Sequence, residues 1–182
     1  MGMKGLGRIF DVCLGINLVA DLAAGNNTGK RVHMKNYSGI AAVLFCNAVS
    51  AGTDTFVIDW QQHTANTGGT SADLDSVGVA TASAGITEWY DKSATTLAGT
   101  EAWTRNTQSA ASEISLTGAT YSAKQQIVVS EVTADMLGDG YEWVSVDIAD
   151  PGSGGTRLGG VLYIPYGLQY QRRPDALPQP NA

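Results

Sequence analysis

The sequence predicts a mainly β protein, an antiparallel β-sandwich or jelly-roll-like domain with extended N- and C-terminal arms. Three observations predict it. Short apolar runs alternate with polar residues at period two, as in residues 141–148, which is typical of half-buried strands. Segments rich in glycine, serine and threonine separate these runs, and the chain holds 22 glycines in 182 residues. Helical periodicity is limited to short segments, so we expect little helix.

Residues 1–30 are predicted to form a leading segment or arm. Four glycines within the first fifteen residues oppose a long helix, because each costs about 0.5–1 kcal/mol inside one. Residues 17–24 are predicted as a short helix that ends at Gly25. The same stretch superficially resembles a signal peptide, but polar and acidic residues interrupt its apolar core. We therefore expect an unexported protein.

The domain body, residues 31–171, contains the predicted strands. The clearest alternation places Phe56, Ile58 and Trp60 on one face of a strand. Thr133 is predicted to cap a single helical turn at residues 134–137. Strands are predicted at residues 31–36, 39–47, 55–61, 86–90, 101–105, 113–116, 125–132, 141–148 and 161–170.

The last two of these runs carry the strongest alternation in the chain. The connection between them is rich in proline and glycine. Residues 141–148 and 161–170 are therefore predicted to be neighbouring antiparallel strands of one sheet. Pro165 lacks an amide hydrogen, so it predicts a sheet edge or a bulge at that position.

Two further segments lack the strand pattern. Residues 63–85 form a long, polar stretch, and loops of this length are usually functional or covered by a partner. Residues 172–182 contain three prolines and are predicted to be a Pro-rich tail, either free or laid on a neighbour as an extended arm. With residues 1–30, these segments are the predicted contact regions.

Charge and hydropathy exclude two classes of partner. The net charge is -6 and the pI is about 4.7, which opposes direct binding to nucleic acid phosphates. No apolar stretch reaches the length of a membrane span. Charged residues make up only 15% of the chain, against about 25% in typical domains. A surface poor in charge suits a protein that is partly covered by partners.

No catalytic, cofactor-binding or metal-ligating residues are predicted. Cys13 and Cys46 lack the spacing of a zinc site with His33 and His63, so buried free thiols are preferred over a disulfide, and both over a metal. Ser71 lies near acidic residues but lacks the strand–turn–helix frame of a hydrolase nucleophile. The sequence thus predicts a protein that is not an enzyme.

The four tryptophans have two interpretations. They belong to the core or an interface, where aromatic side chains dominate burial energy, or they form a platform that stacks on sugars. The first interpretation is preferred. Trp89 and Trp103 are the candidates under the second, which would make the chain a carbohydrate-binding module.

Four stretches carry a family resemblance: VHMKNYSGIAAVLF, KSATTLAGTEAWTR, QQIVVSEVTADMLGDGYEWVSVDIAD and LGGVLYIPYGLQYQRRP. Together they resemble auxiliary virion proteins of tailed bacteriophages, of the decoration or cement group. The resemblance covers about the last 150 residues. It implies a structural protein made in the host cytoplasm that binds the capsid exterior and stabilises it. It also implies the major capsid protein as partner and self-association as a homotrimer.

The resemblance transfers no site residue, because that group offers no motif to match. An alternative within the structural class is a subunit of the tail tube or of the head–tail connector. Ordering arms on binding would cost about 1–2 kcal/mol per residue, and repeated contacts on a lattice would offset that cost.

Overall fold

The computed structural model describes residues 5–49, 55–74, 85–152, 155–170 and 172–177, and it confirms a mainly β sandwich. Two antiparallel sheets pack together. Within the described ranges the strands are β1 (Cys13–Asp21), β2 (Val32–His33), β3 (Gly39–Cys46), β4 (Phe56–His63), β5 (Ser71–Asp73), β6 (Ile86–Ala94), β7 (Thr104–Ala111), β8 (Glu113–Leu116), β9 (Gln125–Thr133), β10 (Trp143–Ile148) and β11 (Leu158–Tyr166).

The larger sheet has the strand order β1-β11-β3-β9-β6-β7. The smaller sheet has the order β2-β10-β4-β5, and β8 also pairs with β4. Strand β3 lies at the centre of the larger sheet, and each of its residues from Gly39 to Cys46 pairs with both β11 and β9. Helix is confined, in the described part, to α1 (Gly118–Tyr121) and the 3-10 turns Met34–Asn36, Ala134–Met136 and Pro174–Ala176.

Period-two alternation builds the core. Strand β4 buries Phe56, Ile58 and Trp60, as its sequence predicts, and β9 buries every second residue against them. Two side chains carry hydrogen bonds between the sheets. The Trp60 indole donates to Ser130 Oγ at 2.9 Å, and the Val146 amide donates to the Tyr163 hydroxyl at 2.8 Å. These bonds satisfy polar groups that would otherwise be costly to bury.

The predicted helix at residues 17–24 is wrong, because most of it belongs to edge strand β1. Pairing of β1 with β11 shifts register between Leu14 and Ile16 and again between Ile16 and Ala20. Each shift interrupts the alternation of buried and exposed residues, so the strand has no period-two signature. The predicted leading segment therefore supplies a strand of the sandwich, while residues 1–4 lie outside the described part.

The predicted pairing of the two strongest strands is also wrong. Strand β10 belongs to the smaller sheet and pairs with β4 and β2, whereas β11 lies between β1 and β3 in the larger sheet. The connection between them crosses from one sheet to the other. Alternation shows that a strand buries one face. It does not identify the sheet to which the strand belongs, because both sheets of a sandwich bury one face.

Pro165 does not mark a sheet edge or a bulge. Strand β11 is internal, and its register shifts lie elsewhere, opposite residues 14–20 of β1. The Pro165 carbonyl accepts a hydrogen bond from the Asp11 amide at 2.7 Å. The N–H and C=O groups of one residue in an antiparallel strand point to the same side. The missing amide hydrogen of Pro165 therefore lies on the side of Asp11, beyond the last residue pair of β1 and β11. The hydrogen bonds between β11 and β3 are unaffected.

Several boundaries differ from the sequence prediction. The strand expected at residues 31–36 is confined to β2 and ends in a 3-10 turn, whereas the turn after Thr133 is confirmed. The polar stretch 63–85 contains β5, which pairs with the end of β4, and its residues 75–84 lie outside the described part. In the C-terminal segment, the Arg172 amide donates to the Gly7 carbonyl at 2.8 Å. No helix in the described ranges is long and apolar enough to cross a bilayer.

Candidate functional site

The outer face of the larger sheet is apolar. Strands β3, β9 and β11 bury their inward residues, and most of their outward apolar side chains remain partly exposed. These outward residues define the apolar face: Val43, Phe45, Ile127, Val129, Leu162 and Ile164. Because these strands are apolar on both sides, the inner core explains only half of their apolar residues.

The register makes the apolar face continuous. Val43 pairs with Leu162 on one side and with Val129 on the other. Phe45 pairs with Ile127 in the next outward row. Directly opposed residues have Cβ atoms about 4.5–5.5 Å apart, so these side chains touch across three strands. No charged side chain belongs to this patch.

Further exposed apolar residues extend the face at one end. Leu18 is 41% exposed and Leu158 is 48% exposed. Leu18 passes over Gly160, where an added Cβ would meet the Leu18 Cα at 2.5 Å, so only glycine fits beneath the bulged edge strand. Both leucines, with Phe45 and Ile127, line a shallow groove of about 340 Å³. Contiguous exposed apolar surface of this kind is typical of protein contact sites.

Strand β6 carries the charged border of the face. Arg105 Nε donates to Glu88 Oε2 at 2.9 Å, and the Tyr90 hydroxyl donates to Glu88 Oε1 at 2.9 Å. The bond from Arg105 is the main reason that the pKa of Glu88 is lowered. Glu131 accepts a hydrogen bond from the Tyr166 hydroxyl at 3.2 Å. Glu88 and Glu131 line one groove of about 420 Å³.

The outer face of the smaller sheet is polar. The polar residues among its outward side chains define the polar face: Asp59, Gln61, His63, Ser71, Asp73, Ser145 and Asp147. Gln61 Nε2 lies 2.7 Å from Asp73 Oδ1. Two carboxylates, Asp59 and Asp147, oppose one another directly across β4 and β10.

His63 organises the polar face. Its Nδ1 lies 2.8 Å from Ser71 Oγ, and its Nε2 lies 2.9 Å from Ser145 Oγ. Ser145 in turn donates to Asp147 Oδ1 at 3.2 Å. The His63 residue is 3% exposed, and desolvation lowers its pKa to about 4. A neutral imidazole offers one donor and one acceptor, which matches the two hydroxyl partners.

Desolvation acts on the carboxylates in the opposite direction. It raises the pKa of Asp59 to about 6 and also raises the pKa of Asp147. Ser71 and His63 have the contact of a nucleophile and its base, but a base with a pKa near 4 removes protons poorly at neutral pH. Ser71 Oγ also accepts a bond from Arg31 Nη2 at 3.1 Å. The polar face thus forms an internally bonded network.

The structure places the remaining candidates apart from one another. Cys13 and Cys46 are free, and burial raises their pKa values to about 12 and about 11. Trp89 is 6% exposed and belongs to the core, so its proposed role in sugar stacking is wrong. Trp103 is 50% exposed, with Lys92 Nζ 4.9 Å from its ring centre. Among the described residues, no group of three His, Cys, Asp or Glu could hold a metal ion.

Sequence reasoning missed the apolar face, although a signal was present. Residues 127–129 are a continuous apolar run, and residues 40–46 are wholly apolar. A strand exposed on one side alternates, whereas a strand covered on both sides is apolar throughout. The absence of alternation therefore pointed to a second covering layer.

Comparisons with protein-family models, with curated proteins and with solved structures find no match to the chain.

Proposed function

We propose that the chain is a structural protein that acts by binding other protein surfaces. The apolar face carries the proposal, because three neighbouring strands present apolar side chains to both sides of the larger sheet. Monomeric proteins rarely expose contiguous apolar patches unless these bind something. Interface centres are depleted in charge, as this face is.

The proposed role is that of a decoration or cement protein on the exterior of a tailed-phage capsid. It would bind the major capsid protein, associate with copies of itself and stabilise the shell. The family resemblance supports this identification, and the low charged content and the apolar face are compatible with it. The resemblance implies a homotrimer, which stays a prediction. Binding at many lattice positions would compensate for a small individual contact.

The predicted contact segments differ in how firmly hydrogen bonds and strand pairing fix them to the sandwich. Arg31 Nη1 donates at 2.7 Å to both the Ala65 and Gly68 carbonyls, so the first part of residues 63–85 is fixed to the sandwich. Strand β1 is likewise part of the larger sheet. The apolar face therefore replaces residues 1–30 as the principal proposed contact. Residues 172–182 remain a proposed secondary one.

Binding to undecorated phage heads tests this function. The purified chain is expected to bind heads saturably, and Val129→Glu is expected to reduce its affinity at least about 100-fold, because a buried unpaired carboxylate costs several kcal/mol. Val57→Glu is the matched control, since Val57 is a partly exposed valine on the outer side of β4. No saturable binding, or equal losses in both variants, would reject the proposal.

Two observations distinguish the alternatives. Self-polymerisation into rings or tubes without capsid protein would favour a tail-tube or connector subunit. Trp103 is exposed, as a residue that stacks on a sugar in a carbohydrate-binding module must be. Specific binding on a glycan array that Trp103→Ala abolishes would favour that module over a capsid protein.

A further inference from the structure

We propose that the apolar face binds a second copy of this chain about a two-fold axis. The axis lies in the contact plane, perpendicular to the strands, above the row formed by Leu162, Val43, Val129 and Tyr90. This inference rests on the proposed structural function and specifies one of its partners. It differs from the homotrimer that the resemblance implies.

The register supplies the first argument. Leu162, Val43, Val129 and Tyr90 pair in sequence across four strands, so they form one straight row. A two-fold axis above that row brings each residue against its own copy. Phe45 lies one outward position to one side of the row, and Ala41 lies one position to the other. The axis therefore places Phe45 of one copy over Ala41 of the other, a small residue that is 7% exposed and adds little contact area of its own.

Charge supplies the second argument. On β6, Lys92 and Glu88 are outward residues at equal distances on either side of Tyr90. Glu131 occupies the same side as Glu88 and lines the same groove. The axis therefore brings Lys92 of each copy over the Glu88 and Glu131 carboxylates of the other. Complementary charges of this kind fix the register of a contact more than they add affinity.

The remaining charge distribution favours this surface for self-association. Each copy carries a net charge of -6, so copies repel one another generally. The polar face concentrates Asp59, Asp73 and Asp147, and two such faces would repel. The apolar face has no charge at its centre and has both signs at its border. Two copies can therefore meet there without bringing like charges together.

The expected contact is small. Four strands at about 4.8 Å spacing and three outward rows about 7 Å apart cover roughly 400 Å² on each copy. Stable interfaces bury about 800 Å² on each partner, so we expect weak, concentration-dependent dimers in free solution. The second copy and the head would use the same apolar face, so a copy bound to a head through this face is not dimeric, and a weak dimer leaves the face available.

Sedimentation equilibrium over a wide range of protein concentration tests the inference. The chain is expected to form a reversible dimer. Lys92→Glu is expected to weaken association about tenfold, because it places three carboxylates together. Lys92→Glu combined with Glu131→Lys is expected to restore part of it, because the lysine introduced at position 131 then lies beside the glutamate introduced at position 92 of the other copy, while Glu88 stays unchanged. Val57→Glu, on the other sheet, is expected to leave it unchanged.

Every other outcome overturns the two-fold contact. A monomer at all concentrations, a trimer, or a dimer that Lys92→Glu leaves intact would each do so. Circular dichroism of every variant separates loss of association from loss of folding. Because binding to undecorated heads is measured separately, wild-type protein that binds heads without forming the dimer would leave the proposed function standing.

Discussion

The two outer faces of the sandwich are both partly exposed, but one carries polar side chains that bond to one another and the other carries apolar side chains. On the smaller sheet, His63, Ser71, Ser145 and Asp147 bond to one another, although the buried Asp59 Oδ1 has no hydrogen-bond partner among the described residues. On the larger sheet, the apolar face has no layer of the same chain above it in the described residues. The first face is bonded mainly within one chain, whereas the apolar side chains of the second would gain free energy by burial against a partner.

The largest expected effect on folding separates the two faces. His63→Ala is expected to lower the free energy of unfolding by about 2–4 kcal/mol, because it removes a buried ring and one of the two hydrogen-bond partners of both Ser71 and Ser145. Val129→Thr, a change of similar shape on the apolar face, is expected to cost less than about 1 kcal/mol in the free chain. Urea unfolding measures both. Equal losses would contradict the view that the polar face depends more on bonds within the chain than the apolar face does.

The pH dependence of stability sharpens the account of the polar face. The folded pKa of His63 is lowered from 6.5 to about 4, so the unfolded state binds more protons between these values and stability rises with pH there. The folded pKa of Asp59 is raised from 3.8 to about 6, so the folded state binds more protons and stability falls with rising pH. The raised pKa of Asp147 acts in the same direction as that of Asp59.

Because these trends oppose one another, two variants should change the slope of the free energy of unfolding against pH in opposite directions. His63→Gln is expected to lose stability from pH 4 to pH 6, and Asp59→Asn is expected to gain it over that range. Each slope is at most about 1.4 kcal/mol per pH unit, and solvent screening of the partly exposed groups reduces it. Urea unfolding at several pH values measures the slopes. Parallel profiles in the two variants would refute this assignment.

A smaller effect is expected for Asp59→Asn at pH 7.5. Removing a partly desolvated charge that faces Asp147 should raise the free energy of unfolding by up to about 1 kcal/mol after allowance for solvent screening. Thermal unfolding in the same buffer measures the change. A lower melting temperature would show that the hydrogen bond from Gln61 Nε2 to Asp59 Oδ2 outweighs the cost of the desolvated charge.

The smallest expected effect on folding concerns the border of the apolar face. Trp103→Ala removes an exposed ring under Lys92, so we expect less than about 0.5 kcal/mol of lost stability. Binding to heads should nevertheless weaken about tenfold if the ring contacts a partner, since aromatic residues contribute strongly at interfaces. Unchanged binding would place Trp103 outside the contact.

The sequence predicts what depends on local alternation. Strand β4 follows from Phe56, Ile58 and Trp60, and the sandwich follows from several such strands. Strand β1 could not be predicted because its register shifts remove the alternation. The sheet to which β10 belongs could not be predicted either, because one buried side fits both sheets.

The candidate surfaces show the same limit. The polar network joins His63 to Ser71 and to Ser145, 82 residues away, and only the register of three strands brings them together. The part of the apolar face on β3 and β9 was present in the sequence as runs without alternation. Its continuity depends on the pairing of Leu162, Val43 and Val129, which no local pattern specifies.

Hydroxyl-radical footprinting of the chain, free and bound to undecorated heads, tests the central claim most directly. Oxidation of Phe45, Ile127 and Leu162 on the apolar face is expected to fall on binding. Trp143, which stacks on His33 beside the polar face, is expected to remain equally reactive. Protection of Trp143 with Phe45 and Leu162 unchanged would contradict the claim that the larger sheet provides the binding surface.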